Sequence, residues 1–137
     1  MSAQSTIYQW LATSEDLTNL IGSRLYPLSE PEAEELSARQ EMTVVYKILR
    51  TTHEPDIMQQ HIKEITKAVF YCAAATYDDA HSVADALVSR CYAGLKQSVS
   101  DKRIEDVGLV DLFDDDAQSD IKAGIFVVYA EFDFQIQ

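Results

Sequence analysis

Apolar residues recur along this chain at two different spacings, and the switches between them mark out its elements. Ile7, Trp10 and Leu11 share one helical face, and Leu17, Leu20 and Ile21 repeat the spacing, so residues 7–21 are predicted as helix in two pieces. Between the pieces, Thr13-Ser14-Glu15-Asp16 has the form of a capping box. Thr13 would accept from the N–H three residues on, and Asp16 would reach back. Gly22 supplies the left-handed residue that ends the second piece. Arg24-Leu25-Tyr26-Pro27 is then a short extended segment, kept out of helix by the proline after Tyr26. Residues 29–40 are charged and poor in large apolar groups, which predicts a solvated loop with room for a helical turn at 32–38.

From Met42 the period becomes two. Val44, Tyr46 and Ile48 face one way, with Thr43, Val45 and Lys47 opposite, giving a strand over 42–50. A polar stretch at 51–59, with Pro55-Asp56 as turn signal, is expected to be the tip of a long hairpin. Its return strand covers 61–75, with Thr66, Ala68, Phe70, Cys72 and Ala74 on one face and Lys67, Val69 and Tyr71 on the other. Residues 77–93 return to a helical period. Ala80, Val83, Ala84, Leu87, Val88 and Cys91 form the stripe, which Leu95 continues; Thr76-Tyr77-Asp78-Asp79 caps the start and Gly94 marks the stop. A weaker strand over 104–112, an acidic loop opening at Asp114-Asp115-Asp116 and a strong final strand over 122–136 complete the chain. The expected architecture is one α+β domain spanning residues 1–137. It has an antiparallel or mixed sheet of about four strands, including a long hairpin, with helices packed on one face.

Composition narrows the function more than it names it. The chain has 137 residues, 47% of them hydrophobic, enough for a single core. It contains neither a secretory signal nor an apolar run long enough for a membrane span, so a cytosolic origin and no membrane are expected. Two cysteines, Cys72 and Cys91, are too few for a disulfide framework and are expected as free, mostly buried thiols. The net charge of −12 argues against adhesion to DNA or anionic lipid. Arg39, Arg50, Lys63, Lys67, Arg90, Lys96, Lys102 and Arg103 are scattered among acids and make no nucleic-acid patch.

Candidate chemistry is sparse. Gly22, Gly94, Gly108 and Gly124 are isolated, so no phosphate loop is built. His81 lies between Cys72 and Cys91, but no two potential zinc ligands stand two to four residues apart. His53 and His61 sit in or beside a polar hairpin tip, and nothing marks any histidine as a base for a nucleophile. A calcium loop beginning at Asp114 would need Gly and Glu where Ser119 and Ile125 stand. No catalytic, cofactor or metal residue is therefore assigned, and an enzyme is not expected. One anomaly remains. Ile125, Val127 and Tyr129 make the last strand apolar on its second face, and Val69 and Tyr71 do the same for the 61–75 strand. A sheet covered by helices on one side leaves the other wet, so these five residues are expected at a subunit interface.

Four segments in order carry a resemblance. Leu20-Ile21-Gly22-Ser23-Arg24-Leu25-Tyr26-Pro27, Val44-Val45-Tyr46, the junction from Phe70-Tyr71-Cys72 through Thr76-Tyr77-Asp78-Asp79-Ala80, and the aromatic strand Phe126–Ile136 together resemble small tail-completion, or tail-terminator, proteins of long-tailed bacteriophages. The 29–40 insert and the lack of a proline before Val44 depart from the usual pattern. The resemblance implies a non-enzymatic virion protein made in the host cytoplasm and placed at the neck end of the tail. There it would form a homo-oligomeric ring, commonly a hexamer, that stops tail-tube polymerisation and docks to the head connector. Its implied partners are the tail tube protein and the head–tail connector protein, with genome DNA passing nearby and not specifically bound. A neighbouring neck or connector-adaptor ring is the alternative within virion assembly, and a small cytosolic enzyme or ligand-binding domain the alternative outside it. On the ring reading, His53, Glu54, Pro55, Asp56, Ile57 and Met58 form a partner-contact loop. Asp114, Asp115 and Asp116 line either the lumen or a solvated outer loop.

Overall fold

The local rules act first on the two short helices. In a computed structural model, which describes residues 3–27, 42–55, 62–93, 97–99, 102–115 and 125–137, α1 runs Ala3–Ala12 and α2 runs Glu15–Ile21. The cap between them is one residue later than the sequence suggests. Thr13 Oγ1 donates to the Trp10 carbonyl at 2.8 Å and so belongs to the close of α1. Ser14, with an extended backbone, accepts from the Leu17 N–H at 3.4 Å. A cap residue must lie outside the helical backbone, and Ser14 is the one that does. Gly22 ends α2 at φ +59°, its N–H donating to the Thr18 carbonyl at 2.8 Å. Arg24 then ties the end of α2 to the sheet. Its Nε donates to the Met42 carbonyl at 2.9 Å and its Nη2 to the Leu20 carbonyl at 3.3 Å.

The strands are β1 (Leu25–Pro27), β2 (Thr43–Pro55), β3 (Ile62–Ala74), β4 (Gln97–Val99), β5 (Lys102–Asp114) and β6 (Phe126–Ile136), with α3 (Tyr77–Ala93) between β3 and β4. They form one sheet in the order β1-β2-β3-β6-β5-β4. Every pairing is antiparallel except β1 with β2. The α+β class, the long β2–β3 hairpin and the four long strands match the sequence expectation. The three-residue β4 was not foreseen, being too short for a period to register.

Two strands outrun their expected ends. The 51–59 stretch was expected as a hairpin tip, yet β2 continues to Pro55, with Thr52 opposite Ile65 and His53 opposite Glu64. Polar residues can complete a ladder beyond the core, and Thr51 and Thr66 hydroxyls meet there at 3.2 Å. Asp114 was expected in an acidic loop but is the last residue of β5, paired with Val128. The 29–40 segment, the turn at 56–60 and the Gly94 stop lie outside the described residues.

One face of the sheet carries the main core. Phe70, Phe132, Phe134 and Ile136 from β3 and β6 pack against Ile7, Trp10 and Leu11 of α1, Leu17 and Ile21 of α2, and the Val83, Leu87 and Cys91 stripe of α3. Trp10 meets Phe134 edge to face at 5.9 Å and 88°, an arrangement that suits the ring quadrupoles. The α3 start is capped by Thr76, whose hydroxyl accepts from the Asp79 N–H at 3.1 Å. Cys72 and Cys91 are both buried and free. Burial pushes the Cys72 thiol up to about 12 and raises that of Cys91 as well.

Candidate functional site

The face of the sheet turned away from the helices is built in cross-strand rows, because residues directly opposite in paired strands share a face. One row runs Val45, Tyr71, Tyr129, Phe113 across β2, β3, β6 and β5. Tyr71 and Tyr129 meet edge to face at 5.6 Å, and Phe113 stacks on Tyr129 at 4.6 Å. The next row runs Lys47, Val69, Glu131, Asp111, and a third Arg50, Lys67, Asp133, Gly108. The Lys67 ammonium lies between the carboxylates of Glu131 at 3.4 Å and Asp133 at 3.5 Å. Tyr129 donates to Glu131 at 2.8 Å. Its hydroxyl is held above the ordinary range by burial first, then by that bond to a carboxylate and by nearby negative charge. Tyr71 is raised in the same direction by burial and by the charge of Asp115.

The five residues expected at an interface divide into two kinds. Val69, Val127 and Ile125 are covered within the chain itself, with Val127 only 2% exposed. Ile125, Val127 and Ala73 form a small second core on this face, against which Tyr71 packs. Tyr71 and Tyr129 are half-buried and present aromatic surface. The larger apolar exposure lies elsewhere, where the sequence reading did not look. Leu109, Val110, Leu112 and Phe113 of β5 are all exposed, and Leu49 of β2 is exposed as well. Their signal was the break of the period-two pattern in Leu109-Val110-Asp111-Leu112-Phe113, which corresponds to a bulge between Leu109 and Asp111.

The edges of the sheet explain that exposure. β4 pairs only with residues 102–104 of β5, and β1 only with residues 44–46 of β2. Among the described residues, no strand pairs the outer edge of β5 over 105–114 or that of β2 over 47–55. The partner-contact loop expected at His53 to Met58 therefore begins as strand. His53, Glu54 and Pro55 are in the ladder opposite Glu64, Lys63 and Ile62, while Asp56, Ile57 and Met58 lie outside the described residues. Of the acidic trio, Asp114 turns toward α3. It accepts from the Tyr77 hydroxyl at 3.1 Å and lies 2.7 Å from His81 Nε2. Tyr77 and His81 rings meet at 4.3 Å. This exposed cluster ties the start of α3 to the end of β5. Asp115 donates its N–H to the Val127 carbonyl at 2.9 Å, and Asp116 lies outside the described residues.

The rest of the described surface is plainer. An open groove of about 500 Å³ between α1, β1 and β2 is lined by Gln4, Tyr8, Tyr26, Pro27 and Tyr46 and carries no ionised pair. Among the described residues no group of three or more His, Cys, Asp or Glu side chains is placed to hold a metal ion. No described helix is long and apolar enough to cross a membrane. Among the described residues the surface offers two unpaired strand edges and an aromatic row.

No protein-family model matches the sequence, and neither does any curated protein. Fold comparison does find a counterpart. The chain is similar to one from the "Virion of native gene transfer agent (GTA) particle". The two superpose with a TM-score of 0.71 at 16% sequence identity, over 98% of this chain and 94% of the other. The likeness spans nearly the whole of both chains, and it is one of fold.

Proposed function

We propose that this chain is a virion structural subunit, a tail terminator that assembles into a ring at the head-proximal end of a phage-type tail. The ring ends tail-tube polymerisation and presents the surface on which the head connector docks. The observation that carries this reading is the end-to-end fold similarity to a chain of a gene transfer agent virion, with hardly any unmatched length in either chain. Two features of the molecule support it. The chemistry gathered on the surface suits contact and not catalysis, and the sheet ends in edges suited to repeated association.

On this reading the role is non-enzymatic, and the ring is a hexamer, as the resemblance to tail-completion proteins implies. Its partners are further copies of this chain, the tail tube protein and the connector protein. The hairpin end from His53 onward reaches a neighbour or the tube. Six copies at −12 each carry on the order of seventy negative charges, so DNA crossing the lumen is repelled and not gripped.

The test is genetic and visual. Deleting the coding sequence from the phage or prophage that carries it should give tails of uncontrolled length with no heads attached. Supplying the chain should restore normal length and joining. Tails of normal length joined to heads in the deletion strain would overturn the proposal.

A further inference from the structure

Among the described residues two edges of the sheet are left unpaired, and they differ in charge, which selects what can sit on each. Residues 105–115 contain Glu105, Asp106, Asp111, Asp114 and Asp115 and no base. The 47–55 edge carries Lys47 and Arg50 against a single acid, Glu54, in a chain of net charge −12. On the helix-free face one row has Lys47 at its β2 end and Asp111 at its β5 end. Exposed edges are usually blunted by charge or proline, and bulges turn them aside. Here the bulges set Leu49 and Val110 outward, 45% and 47% exposed, so both edges present apolar side chains with their backbone.

We infer that the 105–114 edge of β5 pairs with the 47–55 edge of β2 in a second copy of this chain, continuing the sheet from subunit to subunit. This deepens the ring reading and rests on it for closure. Pairing β5 with another β5 sets acid against acid, and pairing β2 with another β2 brings together two edges that each carry net positive charge. Either like-charge contact is unfavourable. The unlike pairing is heterologous, the head-to-tail kind that closes into rings when the rotation permits. Strand direction agrees. β2, β3, β6 and β5 alternate, so β2 and β5 run oppositely within one sheet. A copy rotated about an axis along the strands keeps its β2 direction, and β5 then meets an antiparallel partner. Lys47 and Asp111 arrive on the same face, in the row of Glu131, which Lys67 of the neighbouring row already bridges to Asp133.

Charge reversal and cross-linking test this on the full chain. Lys47→Glu and Asp111→Lys are each expected to weaken self-association at least about 10-fold by light scattering, and the double swap to restore it. Circular dichroism keeps loss of fold separate, both residues being exposed. The Leu49→Cys, Val110→Cys double variant should give a ladder of covalent oligomers on mild oxidation, whereas each single variant should give none. The native thiols are buried and add little background. Rings seen by electron microscopy without a ladder, and indifferent to both reversals, overturn this pairing and leave the ring reading standing. A ladder from open filaments that never close supports the pairing and overturns the ring. A chain that stays monomeric throughout overturns both.

Discussion

Arg90, on the last turn of α3, should hold the helical layer together, and removing its head should be felt in stability. Its Nε and Nη2 donate to the Trp10 carbonyl at 3.2 and 2.9 Å, and Nη2 also donates to Thr13 Oγ1 at 2.8 Å. The guanidinium carbon sits 5.0 Å from the centroid of the Trp10 ring. Trp10 lies within the last four residues of α1, whose carbonyls have no partner inside the helix. A positive charge there also suits the helix dipole. Hydrogen bonds from a charged donor contribute about 1.5–3 kcal/mol, and a partly exposed cation–π contact about 0.5–1 kcal/mol. The contacts share atoms and half-exposure weakens them, so Arg90→Met, which keeps the apolar stem, is expected to cost about 2 kcal/mol. Arg90→Lys keeps charge without the fork and should cost about half as much. For a domain of this length, 2 kcal/mol lowers Tm by roughly 6–10 °C. Urea unfolding at several protein concentrations measures the cost apart from any effect of association. An Arg90→Met midpoint shifted by less than about 0.5 kcal/mol would refute the clamp.

Three shorter predictions follow from other sites. Gly22→Ala should cost roughly 1–3 kcal/mol, since its φ of +59° strains an L side chain even though the nearest atom to an added Cβ, Arg24 Nη1, is an ordinary 3.7 Å away; an unchanged urea midpoint would count against it. Val127→Asp should unfold the domain by on the order of 3 kcal/mol or more, because the site is buried within the chain, and a wild-type Tm would show that water reaches it. Filter binding of duplex DNA should show no retention even at about 10 mM salt, where attraction to a basic surface is strongest, and tight retention would contradict the acidic-lumen account.

Elements with long, regular periods were legible in the sequence, and edges were not. α3 could be placed at Tyr77–Ala93 because its apolar stripe repeats without a break and Thr76 caps it. β6 could be read from alternating aromatics, since the same residues fill one face of a central strand. The ends of β2 and β5 escaped because Thr51, Thr52, His53 and Asp114 are polar and pair through backbone, which a hydrophobic pattern does not register. The interface candidates show the same limit from the other side. Apolar character at Val69, Ile125 and Val127 marks burial, but cannot say whether the cover is the chain itself or a neighbour. Leu49 and Val110 needed strand order before they meant anything, because exposure at an open edge depends on which strands lie beside it.

The position of β6 has a consequence for how the protein is made. It is the latest of the described strands to leave the ribosome, yet it sits in the middle of the sheet, between β3 and β5. Until it arrives, the β2–β3 hairpin and the β4–β5 hairpin have no shared strand, and Trp10 lacks Phe134. The β3–β6 and Trp10–Phe134 contacts are of long sequence separation and form slowly, because the intervening chain must first be closed into a loop. A nascent chain stopped before residue 126 therefore displays bare strands and cannot complete its core, making it a target for chaperones and proteases. Folding is thereby tied to the progress of translation, because both sides of the sheet are locked together by the latest of the described strands.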